Sequence, residues 1–148
     1  MALKISTGLR NKLLDTASLR SVFAAGFIKI YSGTPPVDAD TAIGGGNALL
    51  CTISIGSTGT GTNMAAAAAA GVLAKASSET WSGANAASGT ASFYRHVAAG
   101  DTAATSTTEA RMQGLVAVAG AELNLSSIGL TSGATQTIDY YNVAIPGL

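Results

Sequence analysis

The feature that most constrains this fold is a series of short strand-type segments that follows Gly26. Each segment is rich in β-branched or aromatic residues, and clusters of Gly, Ser, Asn or Asp separate most of them. No helical pattern recurs between them, so we predict a mainly β fold with antiparallel strands, a sandwich or a barrel. They would form the β-sandwich body, residues 26–148, of a single domain spanning 1–148. The predicted strands are 27–31, 49–55, 71–75, 90–97, 112–119, 122–126 and 135–145.

The segment 49–55 alternates most clearly between apolar and polar residues. Its odd-numbered positions hold Leu, Cys, Ile and Ile and are predicted to face a core, while Thr52 and Ser54 face the other side. Cys51 is the single cysteine, so it cannot form an internal disulfide. We therefore predict a buried, unreactive thiol within a strand.

Residues 1–25 carry a different pattern and are predicted to form a short N-terminal helical lead. Apolar residues recur at a spacing of four between Leu9 and Ala17, which is typical of one helix face. Asp15 or Ser18 is a candidate N-cap for a second short helix. Half of the lysines and arginines of the chain, four of eight, lie in this lead.

The six alanines at 65–70 have two opposed interpretations. Helix propensity alone favours a helix. However, Gly61 and Gly71 would limit that helix to barely two turns, which is marginal without packing. The alternative is a strand or loop that lies close against another surface, where only small side chains fit. We predict the second arrangement.

Charge is scarce in this sequence. Only 11% of residues are charged and the formal net charge is zero, whereas charged residues make up about 25% of a typical domain. Nucleic acids and anionic membranes select basic surfaces, so neither is an expected partner. A neutral surface gives little electrostatic repulsion between molecules, so association is easy. We predict that much of the surface is covered in use, with the chain forming a homo-oligomer.

Residues that carry catalysis or bind metals are few. The only histidine is His96, predicted to share a strand face with Tyr94, and no acidic residue lies nearby in sequence to orient it. We predict a surface or interface histidine. Asp38 and Asp40 are the only close acidic pair, and their segment lacks the other ligands of a calcium loop, so a solvated loop is the better interpretation. We expect no enzyme activity, no metal and no cofactor.

Four segments resemble small virion proteins of tailed bacteriophages. They are residues 3–14 (LKISTGLRNKLL), 26–33 (GFIKIYSG), 80–83 (TWSG) and 88–95 (SGTASFYR). Among these proteins, the chain is closest in character to the capsid cement, or decoration, proteins of podophages. The resemblance implies a jellyroll-like β-sandwich that binds the outside of the major capsid lattice and bridges neighbouring capsomers. It also implies a dimer or trimer on the capsid exterior, assembled in the host cytoplasm, without catalytic residues.

Candidate contact residues follow from this interpretation. The basic residues Arg10, Lys12 and Arg20 of the lead, or the loop at 32–46, are predicted to meet the major capsid protein. Trp81 and Tyr94 are candidate anchors, because large aromatic residues dominate interface energies; ordinary core packing is the alternative for both.

Two other functions remain open from the sequence. One is a tail- or fibre-associated virion module or a carbohydrate- or receptor-binding β-sandwich. The other is a small hydrolase that uses a serine, His96 and an acidic residue.

Overall fold

The computed structural model of the protein describes residues 2–145, which contain two helices and twelve strands. Met1 of the predicted lead and residues 146–148 of the predicted body lie outside the described residues. The helices are α1 (Thr7–Asp15) and α2 (Leu19–Val22). The strands are β1 (Lys4–Ile5), β2 (Phe27–Tyr31), β3 (Leu49–Ile55), β4 (Val72–Ala74), β5 (Trp81–Ala84), β6 (Gly89–Thr90), β7 (Phe93–Val97), β8 (Arg111–Ala117), β9 (Leu123–Asn124), β10 (Gly129–Leu130), β11 (Thr135–Ile138) and β12 (Asn142–Ala144).

Most of the described strands belong to one eight-stranded sheet. Its order is β1-β8-β7-β2-β3-β5-β11, and β9 pairs with β8. All pairs along this path are antiparallel, whereas β9 runs parallel to β8. Two small ribbons, β6 with β10 and β4 with β12, are also antiparallel. The prediction of a mainly β fold with antiparallel sheets and short N-terminal helices is therefore confirmed.

The predicted strand bounds agree with the structure to different degrees. The segments 27–31 and 49–55 coincide with β2 and β3. The segment 90–97 divides between β6 and β7, and 135–145 divides between β11 and β12. The sequence interpretation missed β1, β5 and β10.

Strand β5 was missed because Ser82 and Gly83 resemble a turn. The structure shows that Gly83 has a different role, since it lies opposite Gln136 of β11 and beside β3. A Cβ atom at Gly83 would collide with the backbone carbonyl of Thr52. The glycine therefore permits a close approach of two strands, which is a known role of glycine within a sheet.

The simple alternation predicted for β3 is wrong in part. Ser54 is buried although it was assigned to the outer face, and Leu49 is exposed although it was assigned to the core face. Leu50, which the alternation did not assign, is also buried. The register between β2 and β3 shifts at Ile30 and Tyr31, as in a β-bulge, and Leu50 is the residue left unpaired there. Leu50 then packs near Gly89, so both faces of the strand are covered.

The N-terminal lead is helical, as predicted, and also contains β1, which pairs with β8. Ser6 caps α1 by accepting a hydrogen bond from the Leu9 backbone N–H. Of the two candidate caps for α2, Ser18 is the one used, in a capping box with Ser21. The buried side chains of Leu9 and Phe23 join the helices to the core.

The alanine run is not helical, which confirms the prediction of a non-helical segment. Ala69 and Val72 exchange two backbone hydrogen bonds of 2.9 Å, and Ala70 and Gly71 between them have φ angles of 49° and 77°. Two consecutive positive φ angles characterise a type I′ hairpin turn. Tertiary pairing with β4 therefore overrides helix propensity. The alanines at 66–70 are exposed, so within this protomer they do not lie against another surface.

Candidate interaction surface

The two aromatic anchors predicted from the sequence, Trp81 and Tyr94, lie in the core of the protomer. Each is only 1% exposed. The Trp81 indole N–H donates to the Glu79 carboxylate at 2.8 Å, and the Tyr94 ring meets Tyr141 edge to face. Burial raises the pKa of Tyr94 to about 12. Core packing, the alternative offered for both residues, describes their positions; neither side chain is available to a partner.

The prediction of a surface or interface position for His96 is wrong. His96 is fully enclosed, stacks on Phe23 with ring centroids 4.1 Å apart, and places Nδ1 3.3 Å from the Tyr141 hydroxyl. Its Nε2 is buried without a hydrogen-bond partner among the described residues. This apolar enclosure lowers the pKa of His96 to about 3, because desolvation disfavours the imidazolium. It shares the Tyr94 face of β7, as predicted, and is a neutral core residue.

The remaining reactive groups are also enclosed or occupied. Burial in β3 raises the pKa of the Cys51 thiol to about 11, so it is a poor nucleophile, as expected. The Asp38 carboxylate accepts two hydrogen bonds from Thr41, and the Asp40 carboxylate accepts two from Thr7. Over residues 2–145, no three His, Cys, Asp or Glu residues are grouped so that they could hold a metal ion.

The two segments that the sequence proposed as contact regions, the helical lead and the loop at 32–46, are brought together. The Thr7 N–H and hydroxyl at the start of α1 donate to the Asp40 carboxylate at 2.8 and 2.6 Å. The Lys4 ammonium donates to the Val37 carbonyl at 2.6 Å. A carboxylate at a helix N-terminus is favourable because it complements the helix dipole. Val37 itself is largely exposed, so the loop presents an apolar side chain beside the lead.

Two buried arginines hold the loop at 32–46 in place. They lie on the outer face of the eight-stranded sheet, the face opposite Tyr94 and His96. Arg95 donates through Nη2 to the carbonyls of Thr41 and Asp38 at 2.6 and 3.1 Å, and through Nε to Gln113 at 2.8 Å. Gln113 in turn donates to the Pro36 carbonyl at 2.8 Å. Burial and the neighbouring arginine lower the pKa of Arg95 from its ordinary value. The loop is thus held by side-chain bonds to its backbone carbonyls.

Arg111 binds more of the surrounding chain. Its Nε lies 2.5 Å from the Asp101 carboxylate, and Nη2 contacts Glu109 and donates to the Ala104 carbonyl at 2.7 Å. Its side chain is fully buried and that of Asp101 nearly so. The sequence interpretation missed both arginines. The available signal was the placement of Arg95 within the predicted strand 90–97 and of Arg111 immediately before the predicted strand 112–119, since charges are rarely buried unless they are paired.

The three basic residues predicted as contacts are all exposed, but they do not share one site. Arg10 on α1 donates to the Thr7 hydroxyl at 2.8 Å, close to the loop at 32–46. Lys12 lines a small cleft with Asp101 and Glu109. Arg20 on α2 lies at a different groove.

That groove is lined mainly by small and apolar side chains and encloses about 400 Å³. Leu19 and Arg20 form one wall, and the alanine hairpin and the ribbon of β4 and β12 form the others. Arg20 is the only charged residue that lines it among those described. The lining residues are Ser18, Leu19, Arg20, Ala66, Ala67, Ala68, Gly71, Leu73, Val143 and Ile145. Small side chains lose little conformational entropy when they are covered, so this groove is suited to burial against a partner.

Comparisons with known proteins found no relative of this chain. No protein family matches the chain, and neither the curated proteins nor the solved structures gave a match. Neither helix in the described part of the chain has the length and apolar character needed to cross a bilayer.

Proposed function

We propose that this protein is a non-enzymatic virion structural protein, a capsid cement protein that binds the outside of the major capsid lattice and bridges capsomers. The observation that carries the proposal is the groove beside the exposed alanine hairpin. It is an apolar, nearly uncharged surface that a free protein usually avoids or covers. We propose the capsid shell as the partner because the sequence resembles small phage virion proteins.

The proposed mechanism is linkage between binding and shell expansion. Packaged DNA presses the shell outward, and a ligand that binds only the expanded lattice stabilises that state by mass action. A dimer or trimer on a symmetry axis would add avidity, so that each groove needs only a modest affinity. In this proposal the protomer has a jellyroll-like sandwich, and Arg20 at the groove rim meets an acidic group of the capsid.

The proposal is tested by adding purified protein to expanded, undecorated capsids and measuring the bound stoichiometry. We expect saturable binding at a fixed number of copies per capsomer. The variant Ala67→Glu places a carboxylate in the groove and should weaken binding by at least about tenfold, because covering that charge with the capsid would remove its hydration. Ala119→Glu, at an exposed alanine outside the groove, is the matched control and should bind as the unmodified protein does.

Absence of binding at every salt concentration would contradict the cement role. Gold labelling of intact virions separates the remaining virion alternative, since label on the tail instead of the shell would assign the protein to a tail or fibre.

A further inference from the structure

A second cleft lies on another part of the surface and has the opposite chemistry. It encloses about 430 Å³, within the range of about 300–1,000 Å³ that is common for small-ligand sites. One wall is β9 with its flanking residues, and the other is the connection from β11 to β12. Its polar and aromatic lining includes Glu122, Asn124, Ser126, Asp139, Tyr140 and Asn142.

Several hydrogen-bonding groups in this cleft are held in place yet remain available. The Asn124 side-chain oxygen accepts from the Ala121 N–H at 3.1 Å, while its NH₂ group has no partner among the described residues. Glu122 accepts from the Leu115 N–H at 2.8 Å through one oxygen, and no described residue donates to the other. Across the described chain, the side chains of Asp139 and Asn142 make no hydrogen bond. The cleft therefore offers both donors and acceptors.

An aromatic ring stands beside these groups. Tyr140 is 88% exposed, which is unusual for so large a side chain in a protein with 5% aromatic residues. Its neighbour Tyr141 is buried against Tyr94 and His96, with edge-to-face ring contacts. The buried ring of Tyr141 fixes the chain at this point. The adjacent Tyr140 is therefore held at the cleft.

We propose that this cleft binds a short carbohydrate built from neutral or amino sugars. A pyranose ring combines a face of C–H groups, which packs on an exposed aromatic ring, with hydroxyls that both donate and accept hydrogen bonds. In the cleft, the Tyr140 ring can pack against the C–H face, and the polar side chains can form hydrogen bonds with the hydroxyls. No lysine or arginine lines it among the described residues, and two carboxylates do. Acidic sugars, nucleotides and other anions are therefore disfavoured.

The carbohydrate site goes beyond the proposed shell role, since it uses a different surface and a different ligand. A cement protein with such a site would bind the capsid through the groove and a glycan through the cleft. Substitutions in the two places are expected to act independently, so the failure of one proposal leaves the other standing.

The test is to apply the labelled full-length protein to an array of neutral, amino and acidic glycans that includes bacterial polysaccharide fragments. We expect saturable binding to at least one neutral or amino glycan and none to acidic glycans alone. Tyr140→Ala and Asp139→Asn should each lower the signal at least tenfold. The matched controls are Leu14→Ala, which removes an equally exposed apolar side chain on α1, and Asp15→Asn, and both should bind fully.

Tyr140 and Asp139 are exposed, so their variants should keep the circular dichroism spectrum and melting temperature of the parent protein. The proposal is overturned by the absence of any signal above background. It is also overturned by binding confined to acidic glycans, or by equal binding of the parent protein and Tyr140→Ala.

Discussion

The two faces of the main sheet are closed in opposite ways, and strand β7 shows the difference in adjacent residues. Tyr94 and His96 point into an aromatic cluster where polar atoms are enclosed by rings. Arg95 points to the other face, where a buried positive charge binds the carbonyls of the loop at 32–46. On the aromatic face, neutral groups are buried away from water. On the other face, a buried charge is compensated by hydrogen bonds to backbone carbonyls.

Because of this difference, we expect the two faces to lose stability under different conditions. A neutral histidine in an apolar cluster makes the aromatic face sensitive to acid, because protonation there is strongly unfavourable. An arginine stays charged at all ordinary pH values, so the outer face is sensitive to loss of its bonding partners instead. Substitutions that separate the two sensitivities test the comparison directly.

The largest effect is expected from Arg111→Ala on the outer face. The substitution would leave the nearly buried Asp101 carboxylate without its cation, and breaking a buried pair in this way costs about 3–5 kcal/mol. The free energy of unfolding from urea titration measures the loss. Arg10→Ala, at an exposed arginine, is the control and should change stability by less than about 0.5 kcal/mol. A loss below about 1 kcal/mol for Arg111→Ala would contradict the assigned role.

An intermediate effect is expected from acid on the aromatic face. The pKa of His96 is about 3 in the folded protein against an ordinary 6.5, so the unfolded chain binds the proton first. Stability is complete above pH 6.5 and falls as pH decreases toward 3, by about 1.4 kcal/mol per pH unit. Between about pH 6.5 and 5 the loss should reach about 2 kcal/mol.

Urea midpoints at several pH values measure this slope, and His96→Phe should flatten it. Three carboxylates also have lowered pKa values: Asp38, Glu79 and Glu109. Their contribution to stability is lost only at lower pH, so it does not affect the slope between about pH 6.5 and 5. An unchanged slope in His96→Phe would assign the acid sensitivity to other groups.

The smallest effect is expected from Tyr141→Phe, which removes the hydroxyl near His96 Nδ1 and keeps the ring. Loss of one neutral buried hydrogen bond costs about 1 kcal/mol. Tyr140→Phe is the matched control, because its hydroxyl is on an exposed side chain, and it should leave the unfolding free energy unchanged. Equal effects of the two substitutions would show that the buried hydroxyl contributes no specific bond.

The sequence predicted those parts of the fold that depend on local pattern. β2 and β3 follow from β-branched residues between turn signals, and Ser18 follows from the requirements of a helix cap. Parts that depend on tertiary contact were missed. Gly83 resembles a turn residue until the Thr52 carbonyl lies against it. For the alanine run the non-helical prediction was correct, but its pairing with β4 and its exposure were not predicted.

The candidate surfaces were predictable to a smaller degree. Arg20 lines the apolar groove and lay among the predicted contacts, but Trp81 and Tyr94 belong to the core. An aromatic residue in a strand carries no local sign of whether its face meets the core or a partner. The same applied to Tyr140 and Tyr141, adjacent residues of which only the second is buried. That distinction depends on which strands cover each face, which a single sequence does not encode locally.

The most direct test of the proposed shell role is a cryo-EM map of a virion that contains this protein. The account predicts density for the chain on the capsid exterior at junctions between capsomers, with the groove between α2 and the alanine hairpin covered by the shell. Density on the tail, or a groove that faces solvent while another surface contacts the shell, would contradict it.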